Sequence, residues 1–276
     1  VNAAWLEMQQ SDFAESDRLH RQAIDVRRRL ADDLPAELEL RTLLAETIAK
    51  FAVSKLARGQ AKASLEPFAE SLAIYERVEK SATKDVELRF ASGAPRMMYA
   101  QALRECGETR RAEAEIRRAL ETVEKALADR PDSPARREHV GNARNMLAIF
   151  HSDAGRHAEA EKELDQAIAI YEGLIREDPQ HWNHHSGLGN ALTNRARARA
   201  GLGKTFAAAG DLAKAGIEQA TAVRLQGKAA SLELRRGLEQ IGGFVAPKGD
   251  GKAPTKPAEK LADPKEDKTK KAPPKK

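Results

Sequence analysis

Several common classes of protein are excluded by what this sequence has little of. One cysteine in 276 residues, Cys106, rules out an internal disulfide framework and a cysteine-built zinc site. It fits a reducing compartment, so a cytoplasmic location is the expectation. No run of about 18 apolar residues exists, so no segment reads as a membrane-spanning helix. Aromatics are 4% of the chain, and the remaining aliphatic, charge-rich composition suits helices better than sheets. The chain begins with Val1 rather than Met, which leaves room for a leader or domain upstream.

Charge of one sign is also missing from most of the chain. Ten lysines and five acids fall within residues 245–276, and the other 244 residues carry 37 basic and 37 acidic side chains. The net charge of +5 therefore belongs to the tail. That tail holds six of the twelve prolines, and its only large aliphatics are Val245 and Leu261. It cannot bury a core, and 244–276 reads as a disordered, solvated segment. Residues 245–276 could touch nucleic acid only nonspecifically, because they include no aromatic side chain to stack on bases.

What the sequence does have is a repeat of 48 residues. Segments beginning at Ser11, Gly59, Gly107 and Gly155 align without gaps. Twelve residues on stands a small residue (Ala23, Ser71, Ala119, Ala167), followed by an aliphatic (Ile24, Leu72, Leu120, Ile168). Leu30, Val78, Ala126 and Leu174 form a further column, and Pro35, Pro131 and Pro179 close three of the units. Each column has a physical reading. The glycine ends one helix in a left-handed turn. The small residue lets two helices approach, the aliphatics make a buried stripe, and the proline stops the second helix. Upstream, Ala52, Ala100, Ala148 and Ala196 share a column, as do Ala45, Gly93, Gly141 and Gly189. Both read as helix crossing points. Arg41, Arg89 and Arg137 share a polar column.

The arrangement of Gly, Ala at +12, a bulky residue at +16 (Tyr75, Val123, Tyr171) and Pro at +24 resembles the tetratricopeptide repeat over roughly residues 1–226. The usual unit of that family is about 34 residues, so this one is longer. The extra length is expected mostly in the first helix of each pair. Long units of this kind resemble arrays that follow the kinase domain of some large bacterial serine/threonine kinases, although no kinase motif is present.

The expected fold is all-α, a tetratricopeptide-like solenoid of antiparallel helix pairs over 1–243. Its units lie near 1–35, 36–83, 84–131, 132–179 and 180–226, with a capping helix at 229–241 and a tail at 244–276. Val1–Gln10 reads as the last turns of a helix, so the array starts in mid-unit. Gly210–Ala215 matches Gly155–Ala160 better than the stretch at Gly203 does, which predicts a seven-residue insertion there. Ser92-Gly93-Ala94-Pro95 should break the helix predicted over 86–106.

Other candidate chemistry reads as structural. Ala198–Thr205 matches a permissive phosphate-loop pattern, but the preceding stretch is helical and charged rather than a buried strand. His181, His184 and His185 lie at a helix start that reads as solvated, with no rigid ligand set for a metal. Cys106 reads as a buried structural thiol. Glu115 with Arg118, and Glu161 near Asp165, read as exposed helix faces. The sequence thus points to no enzyme activity, no cofactor, no metal and no small-molecule substrate. The resemblance implies a scaffold that binds a protein or peptide on a concave face lined by the first helices. Carried over from the family, the partner-binding positions are Val53, Leu56, Gln101, Arg104, Ile149 and Ser152. Two alternatives are a C-terminal sensor or docking region of a larger signalling enzyme such as a bacterial kinase, and a nucleic-acid-associated protein acting through its tail.

Overall fold

A computed structural model describes residues 13–82 and 85–245. Among the described residues there are ten helices and no strand. Helix α1 is Phe13–Asp33, α2 Leu38–Ala57, α3 Ala61–Ser81, α4 Val86–Arg89, α5 Gly93–Glu105, α6 Thr109–Asp129, α7 Pro134–Asp153, α8 His157–Glu177, α9 Trp182–Gly201 and α10 Thr205–Val245. The hairpins α2/α3, α5/α6 and α7/α8, and α9 with the first part of α10, lie in the compact unit that ends at Ala230. The expected partial helix at 1–10 and the tail from 246 fall outside the described residues.

The turn between the two helices of each pair is made the same way four times. Gly59, Gly107, Gly155 and Gly203 have φ of 73°, 79°, 74° and 73°. A residue without Cβ adopts this left-handed geometry with no steric penalty. Each is followed by a bond from the next residue's amide back to a carbonyl of the preceding helix, such as Lys204 N to Arg199 O at 2.8 Å. Gly203 therefore continues the 48-residue register, and the insertion expected before Gly210 is not there: Gly210 lies inside α10. Its better local match reflected alanine-rich composition rather than a turn. The separate capping helix at 229–241 is likewise absent, because α10 runs unbroken to Val245.

The added length is shared by both helices rather than taken mostly by the first. Helices α2, α7 and α9 have 20 residues, and α3, α6 and α8 have 21. The expected break falls at Phe90–Ser92, just ahead of Pro95. Asp85 caps α4 by accepting from the amides of Glu87 and Leu88 at 2.9 and 3.1 Å. Pro95 then sits in the first turn of α5, where a missing amide costs nothing because no intrahelical partner exists.

The small-residue columns are the tightest points. Ala52, Ala100, Ala148, Ala119 and Ala167 are fully buried. A Cβ added to Gly93 would lie 2.7 Å from Val123 Cγ1, and one on Gly141 3.0 Å from Tyr171 Cζ. In contrast, Val26, Leu30 and Leu34 of α1 and the turn after it are at least 44% exposed, although their repeat equivalents Ile74, Val78 and Ala82 are in the core.

Between these apolar layers runs a charged clamp. Arg96 of α5 reaches Glu76 on the preceding second helix at 2.8 Å and Glu115 on its own second helix at 2.6 Å. One unit later Arg144 binds Glu124 and, at 2.7 Å, Glu163. All three positions advance by the repeat length. Burial alone would lower the Arg96 pKa, but its bonds to both glutamates raise it, so it stays charged. Glu115, with 15% of its side chain exposed, is thus an inter-helix tie and not the open face expected from its spacing to Arg118. Glu161 is similar, held by Arg199 at 2.8 Å and Lys204 at 2.6 Å.

Candidate peptide-binding face

The first helices of successive pairs touch one another directly, α2 with α5, α5 with α7 and α7 with α9. The six predicted positions lie on α2, α5 and α7 but do not form one uniform surface. Val53 and Leu56 are half-buried and pack on the core around Phe68 and Leu103. Gln101 donates to Glu105 on its own helix at 2.7 Å. Arg104 reaches across to Asp153 of α7 at 2.7 Å. Ile149 is half-buried, and Ser152 is buried at 7% exposure.

Asp153 also accepts from Arg197 of α9, so Arg104, Asp153 and Arg197 form a ladder over three first helices. Beside it, Asn194 Nδ2 donates to Asn145 Oδ1 at 2.9 Å, joining α9 to α7.

The side chains that sequence reasoning missed are two exposed asparagines one repeat apart, Asn142 and Asn190. The Oδ1 of Asn142 accepts from the Tyr171 hydroxyl at 2.6 Å. The Oδ1 of Asn190 accepts from Gln219 Nε2 at 2.9 Å. Tyr171 and Gln219 are themselves one repeat apart. Burial, with Glu138 nearby, pushes the Tyr171 phenol well above its ordinary pKa, so it stays a donor. Each carbonyl is thereby held, and each amide NH₂, with two donors, is left on the exposed side. The signal was in the sequence as an aliphatic-Gly-Asn triplet, Val140-Gly141-Asn142 and Leu188-Gly189-Asn190.

The remaining sequence candidates have structural places. Ala198–Thr205 is the end of α9, its glycine turn and the start of α10. It does not have the strand that a phosphate loop needs. The histidine cluster is not solvated: His184 and His185 are 4% and 8% exposed. The residues one and two repeats before His184, Arg136 and Leu88, are buried as well. His185 meets Glu218 Oε2 at 2.6 Å and the Pro179 carbonyl at 3.0 Å. Among the described residues no group of three His, Cys, Asp or Glu could hold a metal ion. Cys106 is half-buried at the end of α5 rather than in the core. No described helix is long and apolar enough to cross a membrane.

The architecture defines the class first: a solenoid of antiparallel α-helix pairs with a glycine turn in each. Residues 1–33 and 140–179 match the family model described as tetratricopeptide repeat. The chain is also similar to a putative kinesin light chain of Podosopora anserina with nearly identical TPR-like repeats. One structure of that protein, a single-substitution variant, has 21% identity and a TM-score of 0.55, covering 81% of this chain and 94% of that one. Another structure of it has 21% identity and a TM-score of 0.53, covering 79% and 92%. BtubC (BKLC) from P. vanneervenii has 18% identity and a TM-score of 0.46, covering 90% and 97%. No curated protein matches. The described residues thus share the fold of tetratricopeptide-like helical solenoids.

Proposed function

We propose that this chain is a protein–protein interaction scaffold that holds an extended peptide segment on the face built by its first helices, chiefly α5, α7 and α9. The observation that carries this reading is the pair Asn142 and Asn190. An extended strand presents backbone carbonyls that need donors, and main-chain hydrogen bonds give affinity without demanding one sequence. Two amides locked by second-helix donors meet that need with little side-chain entropy left to lose on binding. The ladder of Arg104, Asp153 and Arg197 adds charge of both signs beside them, and Val53, Met98, Met146 and Ile149 supply half-buried apolar surface.

The test is selection from a random-peptide display library on the wild-type chain, followed by titration of selected peptides against Asn142→Leu and Asn190→Leu. Losing the locked donors should weaken binding by about tenfold per substitution, the value of one to two hydrogen bonds. Asn142→Leu also strands the buried Tyr171 hydroxyl and should lower the melting temperature by a few degrees, so binding is compared well below it. Selected peptides that bind both variants as tightly as wild type would remove the reading.

A further inference from the structure

A second, separate site emerges when the inter-hairpin junctions are compared with one another. These junctions lie at the ends of the helices opposite the glycine turns. At the α6–α7 junction, Arg136 is 7% exposed. It donates from Nη1 to the Ala126 carbonyl at 2.5 Å and from Nη2 to Glu87 Oε1 at 2.6 Å. Arg130 joins the same glutamate at 3.0 Å. A guanidinium here satisfies both a carboxylate and the negative end of the α6 dipole.

At the α8–α9 junction, one repeat length further on, the cations are replaced. His184 stands in the slot of Arg136, Asp178 in that of Arg130, and Glu138 in that of Phe90. A cavity of about 490 Å³, lined among others by Glu138, Leu174, Glu177, Asp178, His181 and His184, opens there, within the usual size range of small-ligand sites. Glu177 is neutralised by a two-pronged pair with Arg137, both arms 2.6 Å. Glu138 and Asp178 have no arginine or lysine partner among the described residues. The histidine rings stack at 4.0 Å. His184 is 4% exposed, and the buried Nδ1 atoms of both His181 and His184 have no hydrogen-bond partner. Burial, and then the nearby His181, lower the His184 pKa, favouring the neutral ring. Its Nε2 lies 3.6 Å from Glu138 Oε2, which favours a proton on Nε2 and leaves Nδ1 a lone pair. Two carboxylates without an arginine or lysine partner, Asp178 accepting from the Gln180 amide at 3.1 Å and Glu138 facing His184, thus surround the cavity with a buried acceptor and the C-terminal end of α8.

We propose that this cavity binds an alkylguanidinium, the head group of arginine. The neighbouring junction shows the same architecture closing on a guanidinium from the chain itself. With five donors and a planar fork, that group can serve both carboxylates and the unpartnered imidazole nitrogen together. The site uses neither Asn142 nor Asn190, although Glu138 stands one helical turn from Asn142 on α7, and it does not depend on the peptide-binding reading.

The experiment follows the imidazole NMR signals of His181 and His184 in the full chain, titrated with N-acetyl-arginine amide. The neutral isostere N-acetyl-citrulline amide serves as control. A saturable shift of the His184 signals with arginine and none with citrulline is expected. Glu138→Gln and His184→Leu should each weaken binding at least tenfold. The leucine restores the residue of Leu40 and Leu88, so the fold should hold. Asn190→Leu, on another helix and paired with Gln219, should leave the titration unchanged. A Gly-Arg-Gly peptide binding at least tenfold tighter than the amide would assign the guanidinium to a polypeptide, and equal binding to a small molecule. No saturable shift, an equal response to citrulline, or undiminished binding by Glu138→Gln would overturn the proposal.

Discussion

Replacing Arg96 with methionine probes the clamp that ties successive hairpins. The guanidinium side chain is 7% exposed, Glu115 15% and Glu76 48%. The Glu76 arm is half in water and belongs with surface pairs, below about 1 kcal/mol. The Glu115 arm is largely buried, where removing one partner costs about 3–5 kcal/mol in the general case. Here Arg118 at 3.1 Å remains as a second partner for Glu115, which reduces that to about 2 kcal/mol. The sum, about 2–3 kcal/mol, corresponds to a fall in melting temperature of about 5–10 °C for a domain of this size. The repeat itself says that an apolar side chain fits the slot, because Ile48 and Leu192 occupy the same column. Where Ile48 stands, the clamp's acids are also missing, replaced by Arg28 and Pro67. The loss should therefore come from the stranded carboxylate and not from a cavity. Denaturant unfolding of Arg96→Met, Glu115→Gln and the double variant measures this directly. A coupling energy of about 1–2 kcal/mol is expected, with the double variant more stable than the sum of single losses implies. Additive losses, or an Arg96→Met midpoint equal to wild type, would refute the argument.

Three further outcomes follow from the same geometry. Gly203→Ala forces a Cβ into a left-handed turn and should cost about 1–2 kcal/mol although nothing crowds the site, whereas Gly210→Ala, inside α10, should stabilise slightly; the reverse order in denaturant midpoints would restore the seven-residue insertion. Ala119→Leu and Ala167→Leu, both fully buried, should each destabilise by about 1–3 kcal/mol through overpacking, checked by thermal unfolding. Burial holds His20, His151 and His184 below the ordinary value of 6.5. The native state then binds fewer protons than the unfolded chain, so stability is intact above pH 6.5 and falls as pH drops through that value toward the lowered ones. Charged neighbours, Asp17 and Arg58 at His20, Glu159, Arg156, Arg117 and Glu113 at His151, and Glu138 and Asp178 with two histidines at His184, modulate the size but not the sign. A melting temperature that is flat or rising from about pH 7.5 to about pH 5.5 would contradict this.

The period and the class of fold were legible in the sequence because each rests on a residue type with one dominant physical use. Glycine at a left-handed turn, alanine at a helix crossing and an aliphatic stripe recur at 48 residues whatever the neighbours do. For the same reason the break before Pro95 could be placed within a few residues. The sequence could not separate a real turn from alanine-rich similarity, and the reading that preferred Gly210 over Gly203 failed there. Only the backbone conformation distinguishes a glycine at φ 73° from one inside a helix.

The three-dimensional pairing of the charges was decided by tertiary structure. Glu115 and Glu161 sit at helical spacings that suit open faces, yet both are turned toward cations on other helices, because whether a carboxylate meets water depends on what packs over it. His184 read as part of a solvated helix start, yet it is buried in the structure. The locked amides of Asn142 and Asn190 depend on partners 29 residues away, Tyr171 and Gln219, a contact that exists only once the hairpin closes. Local patterns specify helices, turns and their period, since those depend on neighbours in sequence. Which polar groups are satisfied, clamped or left free depends on neighbours in space.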